Sequence, residues 1–575
     1  VSTPSTEAHR RRRLITRALP LSFVAIVAFT LGAVAGSPGS PEKEAAERFA
    51  EAWSRKDFGS MYRELNEGSR RAVGVQQFVK AYREAAELAT LRTLAVDSPG
   101  DPRSTDGRAV VPVPVRAGTV AFGDVSTEIG VPYSDGGVAW DPSLVFPGLR
   151  RGEQLENRLD LAERAPILAR DGTALAEGPA AEREHPLGDA AIDVTGEVGE
   201  APEEDLVTLA RQGFPPEAPV GVSGLEQAFN RRLAGRPGGS LLAAGSSSTR
   251  ILSQAEPEPG APVKTTIDPD LQVAAVSALA GRAGGVAVLD ASRGDVRALA
   301  GQAFSAPQPP GSTFKTITTT AALQKDIVSL ETEFEIVDGV NVGGRFISNA
   351  NGELCGGTFS EAFAESCNAD FAPLGPQIGN DGMVEIAERF GFNSPPTLYA
   401  EQIVEAVEPA ESTIPQEIGE DIDLGVSAIG QGEVLATPLQ MASVAQTIAN
   451  GGVREATSVV ANRKLRPELK PVRVMSKKIA RELNGLMVGV VTGGTGFAAA
   501  IPEAQVAGKT GTAELGPRPD SKDEEEPEQI KDAWFMAFAP AEKPRLTVGV
   551  LLIEAEAAGG EVAAPIAGQV LSAGL

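Results

Sequence analysis

Ser312-Thr313-Phe314-Lys315, Ser366-Cys367-Asn368 and Lys509-Thr510-Gly511-Thr512 together bring a hydroxyl nucleophile, two lysines, a second serine, an amide and a hydroxyl-bearing strand. Such a set suits acyl transfer through a serine ester, with a lysine standing where many serine enzymes use histidine. An isolated S-x-x-K or S-x-N is common, so the weight lies in order and spacing. Ser366 follows Ser312 by 54 residues, Lys509 follows Asn368 by 141, and Pro309-Pro310-Gly311 leads into Ser312.

The prolines and the glycine stop the preceding element, and Thr313 to Leu323 can run as a helix. Ser312 then sits in a first turn, where unpaired N–H groups and the positive dipole end favour negative charge on its oxygen. Lys315 stands three residues on and shares that face, within reach of the serine oxygen. To act as base it must be neutral, which requires its pKa to fall by about 3 units from about 10.4 through burial and a nearby positive charge; Lys509 is the candidate neighbour. Ser366 can relay a proton between Lys315 and an amine, while the amide of Asn368 can hold both a lysine and a substrate carbonyl. Gly508-Lys509-Thr510 suggests a phosphate-binding loop, but Glu503 stands where that motif needs glycine, and strand-like sequence follows. The segment reads instead as a sheet-edge strand, Lys509 to Thr512, on which Lys509 and the hydroxyls of Thr510 and Thr512 hold a substrate carboxylate and Gly511 completes the motif. The N–H groups of Ser312 and Thr512 could form an oxyanion hole. Asp532 to Phe535 reads as the neighbouring antiparallel strand.

Composition narrows the chemistry further. Lys and Arg number 52 against 77 Asp and Glu, for a formal charge of −25 with no basic patch, so nucleic acid is not an expected partner. His9 and His185 are the only histidines, and Cys355 and Cys367 the only cysteines. That is too few for a four-cysteine or multi-histidine zinc site, and no metal or cofactor is expected.

At 575 residues the chain should hold about three domains. Arg10 to Arg13 and Arg17 precede an apolar run, Ala18 to Gly36, near the lower length limit for crossing a bilayer core of about 30 Å at about 1.5 Å per residue. The expectation is a basic cytoplasmic segment (1–17), a single-pass anchor in the cell membrane (18–36) and an extracytoplasmic remainder. Ala33-Val34-Ala35 leaves open a cleaved signal peptide. In an oxidising compartment a disulfide between Cys355 and Cys367 is favoured over two free thiols.

After the punctuated Ser37 to Pro41 linker, Ala46, Phe49, Ala50 and Trp53 recur at helical spacing and open a small α+β domain ending near Trp140 to Pro147. Phe49, Trp53 and Tyr62 read as its core. Val120 to Ile129 reads as a strand, and Val110 to Val115 as a weaker one that Pro112 and Pro114 would confine to a sheet edge. Leu149 to Gly260, rich in charge, Gly and Pro, reads as an irregular connector. Lys264 to Asp268 reads as a strand, Pro269 to Ala280 as a helix, and Gly285 to Asp290 with Val296 to Ala300 as a strand pair. The pair runs toward Ser312, so the nucleophile's helix should pack on an antiparallel sheet.

These residues resemble a class B penicillin-binding protein, a monofunctional D,D-transpeptidase of peptidoglycan. Arg164 to Gly172 and Gly224-Leu225-Glu226 resemble segments of that family's pedestal, and residues 41 to 148 resemble the nuclear-transport-factor-like domain of methicillin-resistance-type members. The resemblance implies a multidomain α+β fold: a membrane anchor, a small cone-like α+β domain (41–148), an elongated, dimerisation-type pedestal (149–262) and a penicillin-recognising transpeptidase domain (263–575) with an antiparallel sheet flanked by helices. It implies a reaction on the D-Ala-D-Ala end of stem peptides through an acyl-enzyme on Ser312, with Lys315, Ser366, Asn368 and Lys509 catalytic and Thr510, Gly511 and Thr512 binding substrate. Beta-lactams should trap Ser312, and a partner glycosyltransferase should polymerise the glycan. The alternatives are a D,D-carboxypeptidase, a beta-lactamase and a non-catalytic beta-lactam sensor or wall-binding scaffold. Against a class A beta-lactamase, the stretch nearest its deacylating motif, Ala480-Arg481-Glu482-Leu483-Asn484, carries alanine where the glutamate belongs and reads as part of an amphipathic helix from Ser476 to Val490.

Overall fold

A computed structural model describes residues 40–105, 108–400, 409–517 and 529–575. The basic segment, the apolar run and the acidic stretch from Asp520 to Glu528 lie outside the described residues, among which no helix is long and apolar enough to cross a membrane. The chain forms two compact units. One runs as far as Leu161 and adds Val207–Phe214 and Pro237–Pro257; the other comprises Ala162–Leu206, Pro215–Arg236 and Glu258–Leu575.

In the first unit, Ser40 caps the helix Pro41–Ser54 by accepting from Lys43 N, with proline at its first position. This helix and Val75–Leu88 bury Phe49, Trp53, Phe78 and Tyr82 against Val111, Val113 and Val131 of an antiparallel sheet, and Tyr62 packs at the margin. The tyrosine hydroxyl of Tyr82 accepts from the Trp140 indole N–H at 3.1 Å, so the aromatic core is closed by a satisfied polar pair.

The strand Arg108–Thr119 corrects the expectation of a sheet edge. It lies inside the sheet, pairing with Asp124–Ser134 on one side and with Leu91–Val96 and Arg103–Thr105 on the other. Pro112 and Pro114 are tolerated because their missing N–H groups face the loop between those two shorter strands. There only their carbonyls are used, accepting from Gly100 N at 2.8 Å and Asp97 N at 3.0 Å. A second sheet, in the order Thr249–Ala255, Gly238–Ala244, Gln154–Asp160, gives the expected connector region regular structure.

The second unit is built on a five-stranded antiparallel sheet in the order Val296–Gly301, Gly284–Asp290, Leu546–Leu552, Gln529–Ala539, Ala507–Pro517. On one face the helices Pro269–Leu279 and Gly559–Gly574 bury Leu271, Ala275 and Val570 against Val286, Phe535 and Val550. The other face carries the helices Lys315–Gln324, Phe359–Glu365, Pro438–Ala449 and Lys477–Thr492 around Phe314, Phe363, Met487 and Trp534. Lys264 to Asp268 is strand only at Val263–Lys264, which pairs in parallel with Ile167–Leu168.

The helix Lys315–Gln324 is rich in threonine yet buried, which would be costly if the hydroxyls were unpaired. Thr316 donates to Thr313 O at 2.8 Å, Thr318 to Ala428 O at 2.7 Å and Thr320 to Thr316 O at 2.8 Å, while Thr319 Oγ1 is buried without a partner. Below the sheet a buried cluster ties the pedestal segments together: Arg164 and Arg183 both donate to the Glu226 carboxylate, at 2.7 and 2.8 Å, and Arg164 also to Asn230 Oδ1 at 3.0 Å. Glu226 is fully buried. Its removal strands two guanidinium groups out of water, so Glu226→Ala should cost about 3 kcal/mol or more. In urea titrations of the full chain this should appear as an earlier unfolding transition; an unmoved transition would show that the cluster carries no stability.

Candidate active site

Backbone contacts fix where Ser312 sits. Gly311–Phe314 forms a single 3-10 turn, with Ser312 at its second position, and Lys315 begins the α-helix behind it. Gly311 has φ +51°, and a Cβ there would lie 2.5 Å from Thr512 O; at Gly430, φ +74°, it would lie 2.1 Å from Gly311 O. Only glycine permits these three chains to stack, and Gly311 N donates to Gly430 O at 2.9 Å. Gly511 serves the same packing from the strand, since a Cβ there would lie 2.6 Å from Pro310 O. The serine turn is thereby seated on the edge strand Ala507–Pro517.

Opposite stands Ser366, which ends the helix Phe359–Glu365 in a left-handed conformation at φ 66°. That turn aims its carbonyl at Lys315 and sets its hydroxyl between the two lysines, close to Lys509 and 3.5 Å from Lys315 Nζ. Lys315 Nζ donates to Ser366 O at 2.6 Å and Asn368 Oδ1 at 2.8 Å, while Lys509 Nζ donates to Ser366 Oγ at 2.7 Å and Thr510 O at 3.1 Å. Asn368 is held in turn, its Nδ2 donating to Ser348 O at 2.9 Å. Cys355 and Cys367 are joined in a disulfide with Cα atoms 5.6 Å apart, fastening the centre of this segment to the strand Cys355–Thr358.

Both lysines are fully buried. Burial, and then the charge of Lys509, hold Lys315 well below the ordinary lysine range, with Asp370 opposing the shift. Burial brings Lys509 down to about 7. Aromatic faces take up part of the charge: the Phe371 ring lies 5.3 Å from Lys315 Nζ and the Phe363 ring 5.6 Å from Lys509 Nζ.

Lys315, Ser366, Asn368, Lys509 and Thr510 thus form one hydrogen-bonded chain, with Gly511 and Thr512 continuing the strand. Ser312 joins them through backbone rather than side chain. Its Oγ has no hydrogen-bond partner among the described residues, and Lys315 Nζ directs its protons to Ser366 and Asn368. Thr512 O accepts from Gln431 Nε2 at 3.4 Å, on the side of the strand away from Gln529–Ala539, so the Thr512 N–H projects to that open side as well. With the N–H of Ser312 in its first turn, it can meet a developing oxyanion. Thr512 Oγ1 accepts from Gly559 N at 3.3 Å, which leaves its proton to donate.

Sequence patterns did not single out Asp370, Gln431 or Thr495. Asp370 is buried, its Oδ2 has no partner, and desolvation raises its pKa to about 6, against the lowering effect of Lys315. Nothing in its flanking residues marks it. Gln431 and Thr495 each lie in a glycine-punctuated turn, Gly430-Gln431-Gly432 and Gly493-Gly494-Thr495-Gly496, whose glycines signal close backbone approach without saying to what. No cluster of three His, Cys, Asp or Glu suited to a metal occurs among the described residues.

Residues 284–572 match the penicillin binding protein transpeptidase domain. The chain belongs to the penicillin-binding protein transpeptidase family. Residues 176–265 match the penicillin-binding protein dimerisation domain and 41–153 the NTF2-like N-terminal transpeptidase domain, so this multidomain α+β chain carries the domain set of a class B penicillin-binding protein. The chain is 37% identical over 298 residues to the peptidoglycan D,D-transpeptidase PbpA of Mycobacterium tuberculosis; the match takes in 48% of this chain and 57% of that relative. Among solved structures, the D,D-transpeptidase domain of a peptidoglycan glycosyltransferase from Eggerthella lenta is 30% identical, with a TM-score of 0.56, covering 72% of this chain and 98% of that one. A penicillin G acyl-enzyme complex of penicillin-binding protein A from M. tuberculosis is 28% identical, with a TM-score of 0.54, covering 72% and 99%.

The disulfide of this family member has a direct chemical check. Alkylation of unreduced, denatured protein should modify neither Cys355 nor Cys367, and alkylation after reduction should modify both. Labelling of both cysteines without reductant would show two free thiols.

Proposed function

We propose that the protein is a serine D,D-transpeptidase that cross-links peptidoglycan stem peptides, anchored by residues 18–36 with its catalytic unit outside the cytoplasm. The observation that carries this reading is the meeting of two fully buried lysines at Ser366, which supplies a neutral base beside a serine turn. Ser312 Oγ attacks the carbonyl of the penultimate D-alanine and its proton passes to Lys315 Nζ. The N–H groups of Ser312 and Thr512 receive the oxyanion. Collapse breaks the C–N bond to the terminal D-alanine, whose amine takes the proton through Ser366. An amine of a neighbouring stem then attacks the Ser312 ester, gives up a proton by the same route and restores the hydroxyl. Lys509, with the hydroxyls of Thr510 and Thr512, holds the terminal carboxylate. Neutral Lys315 can keep its two N–H bonds to Ser366 O and Asn368 Oδ1 and offer its lone pair to the Ser312 proton. A partner glycosyltransferase would supply the glycan, and the domain set is that of the family's cross-linking members.

Beta-lactams present a strained amide and a carboxylate in the same relation, so benzylpenicillin reports on the site. Intact-mass spectrometry should find one persistent covalent equivalent, absent in Ser312→Ala. Lys315→Arg retains charge but cannot become neutral, so it should slow acylation by about two to four orders of magnitude. Rapid return to the free mass with drug hydrolysis would mark a beta-lactamase, and no adduct at all a non-catalytic sensor.

The lysine environments also set a pH profile. Acylation needs Lys315 neutral and Lys509 charged, and Lys509 loses its proton as pH rises through about 7. The second-order rate with benzylpenicillin should therefore decline on the alkaline side of about 7. In Lys509→Arg, whose guanidinium stays charged, that decline should vanish whatever the absolute rate. An unchanged alkaline limb in Lys509→Arg would assign it to another group.

A further inference from the structure

Behind the cleft the turn Gly493–Gly496 brings one more hydroxyl to the site. Thr495 Oγ1 lies 2.7 Å from Thr510 Oγ1 and 3.3 Å from Ala364 O, and its backbone N–H also donates to Ala364 O at 3.2 Å. The turn cannot drift. A Cβ at Gly494 would lie 2.4 Å from Ala364 O, and one at Gly560 would lie 2.2 Å from Thr495 O and 3.4 Å from Thr510 Cγ2. Thr495 is thus clamped between the helix that ends at Ser366, the strand that carries Lys509 and the start of the C-terminal helix.

Counting protons shows what this hydroxyl does. Each threonine has one, and Ala364 O can only accept. With the cleft empty, both bonds form when Thr495 donates to Ala364 O and Thr510 donates to Thr495, an arrangement that turns the Thr510 lone pairs toward the cleft. A carboxylate needs the opposite polarity. Thr510 must swing its proton to the ligand, and Thr495 can then move its own proton from the long contact with Ala364 O to the short one with Thr510 Oγ1. Ala364 O is not orphaned, because the Thr495 N–H stays with it.

We propose that Thr495 is a positioning and specificity-determining residue for the carboxylate end of the substrate, acting through Thr510. This rests on the reading of Ser312 as an acylated nucleophile. The chain Thr495 to Thr510 to carboxylate ends on an anion, so the bond from Thr495 is stronger with ligand bound than in the empty site. That difference between the two states, rather than the bond itself, favours a charged ligand over a neutral one of the same shape. Lys509 supplies charge attraction; Thr495 makes the neighbouring hydroxyl a donor.

The test compares acylation of Ser312 by benzylpenicillin and by its methyl ester, followed by intact-mass spectrometry in wild type, Thr495→Val and Thr495→Ser. Thr495→Val keeps the shape and removes the hydroxyl. It should lower the second-order rate with benzylpenicillin about tenfold and leave the ester rate unchanged, while Thr495→Ser restores the benzylpenicillin rate. The ester rate in each variant also reports whether the site is intact. Equal losses on both probes would reduce Thr495 to a purely structural residue, and an unchanged benzylpenicillin rate in Thr495→Val would overturn the proposal outright. Wild-type protein that takes no adduct from either probe would instead overturn the parent reading of Ser312.

Discussion

Two lysine side chains held away from water at one serine set the terms for the catalytic unit. Burying a charged ammonium costs several kcal/mol unless polar groups replace its hydration, and a second one nearby adds repulsion. The structure meets this with fixed dipoles in place of counter-charges. Two backbone carbonyls, Ser366 O and Thr510 O, one amide oxygen and one hydroxyl receive the lysine protons, and two phenylalanine faces line the remaining sides. Those dipoles accept a proton donor without fixing its charge, so the lysines can exist neutral. A pair of carboxylates in the same places would have locked both as ammonium ions.

That requirement explains the local architecture of Ser366 to Asn368. A serine continuing the helix would direct its carbonyl along the axis, whereas the left-handed turn at Ser366 brings the carbonyl to Lys315 and the hydroxyl between both lysines. The disulfide at Cys367 and the Asn368 bond to Ser348 O then hold a conformation that is unfavourable for a residue with a side chain. Among the described residues the charge of Asp370 opposes the depression of Lys315, and its Oδ2 is buried without a partner.

Much of the frame was legible in the residues. Asp268 caps the helix Pro269–Leu279, Ser476 caps Lys477–Thr492, and the Ser292 to Asp295 turn joins the two sheet strands where pattern and turn chemistry agree. The motif residues were legible as a set because their types are chemically unusual together. Proline chemistry misled at Pro112 and Pro114, since whether a missing N–H matters depends on where the neighbouring strand ends, which is a property of the pairing. The direction of Lys315 was likewise hidden. Helical spacing places it beside Ser312, but its proton goes to the strongest acceptors near, and those come from a segment about fifty residues away. Thr495 and Gln431 were invisible for the same reason: a lone polar residue between glycines acquires meaning only from the chain folded against it.

The seating of the serine turn carries a consequence for how such a site can change over generations. Gly311, Gly430 and Gly511 hold it by main chain against main chain, and the side chains of Thr313 and Gln431 add one hydrogen bond each, to Pro310 O and Thr512 O. The position of Ser312 therefore rests mainly on backbone contacts, which substitutions elsewhere around the cleft leave in place. A substitution in the cleft wall can change which ligand fits without moving the Ser312 turn, whereas a side chain at any of the three glycines would push backbone atoms apart. Tolerance to substitution and intolerance of it are thus separated in space, with the three glycines beneath on the intolerant side.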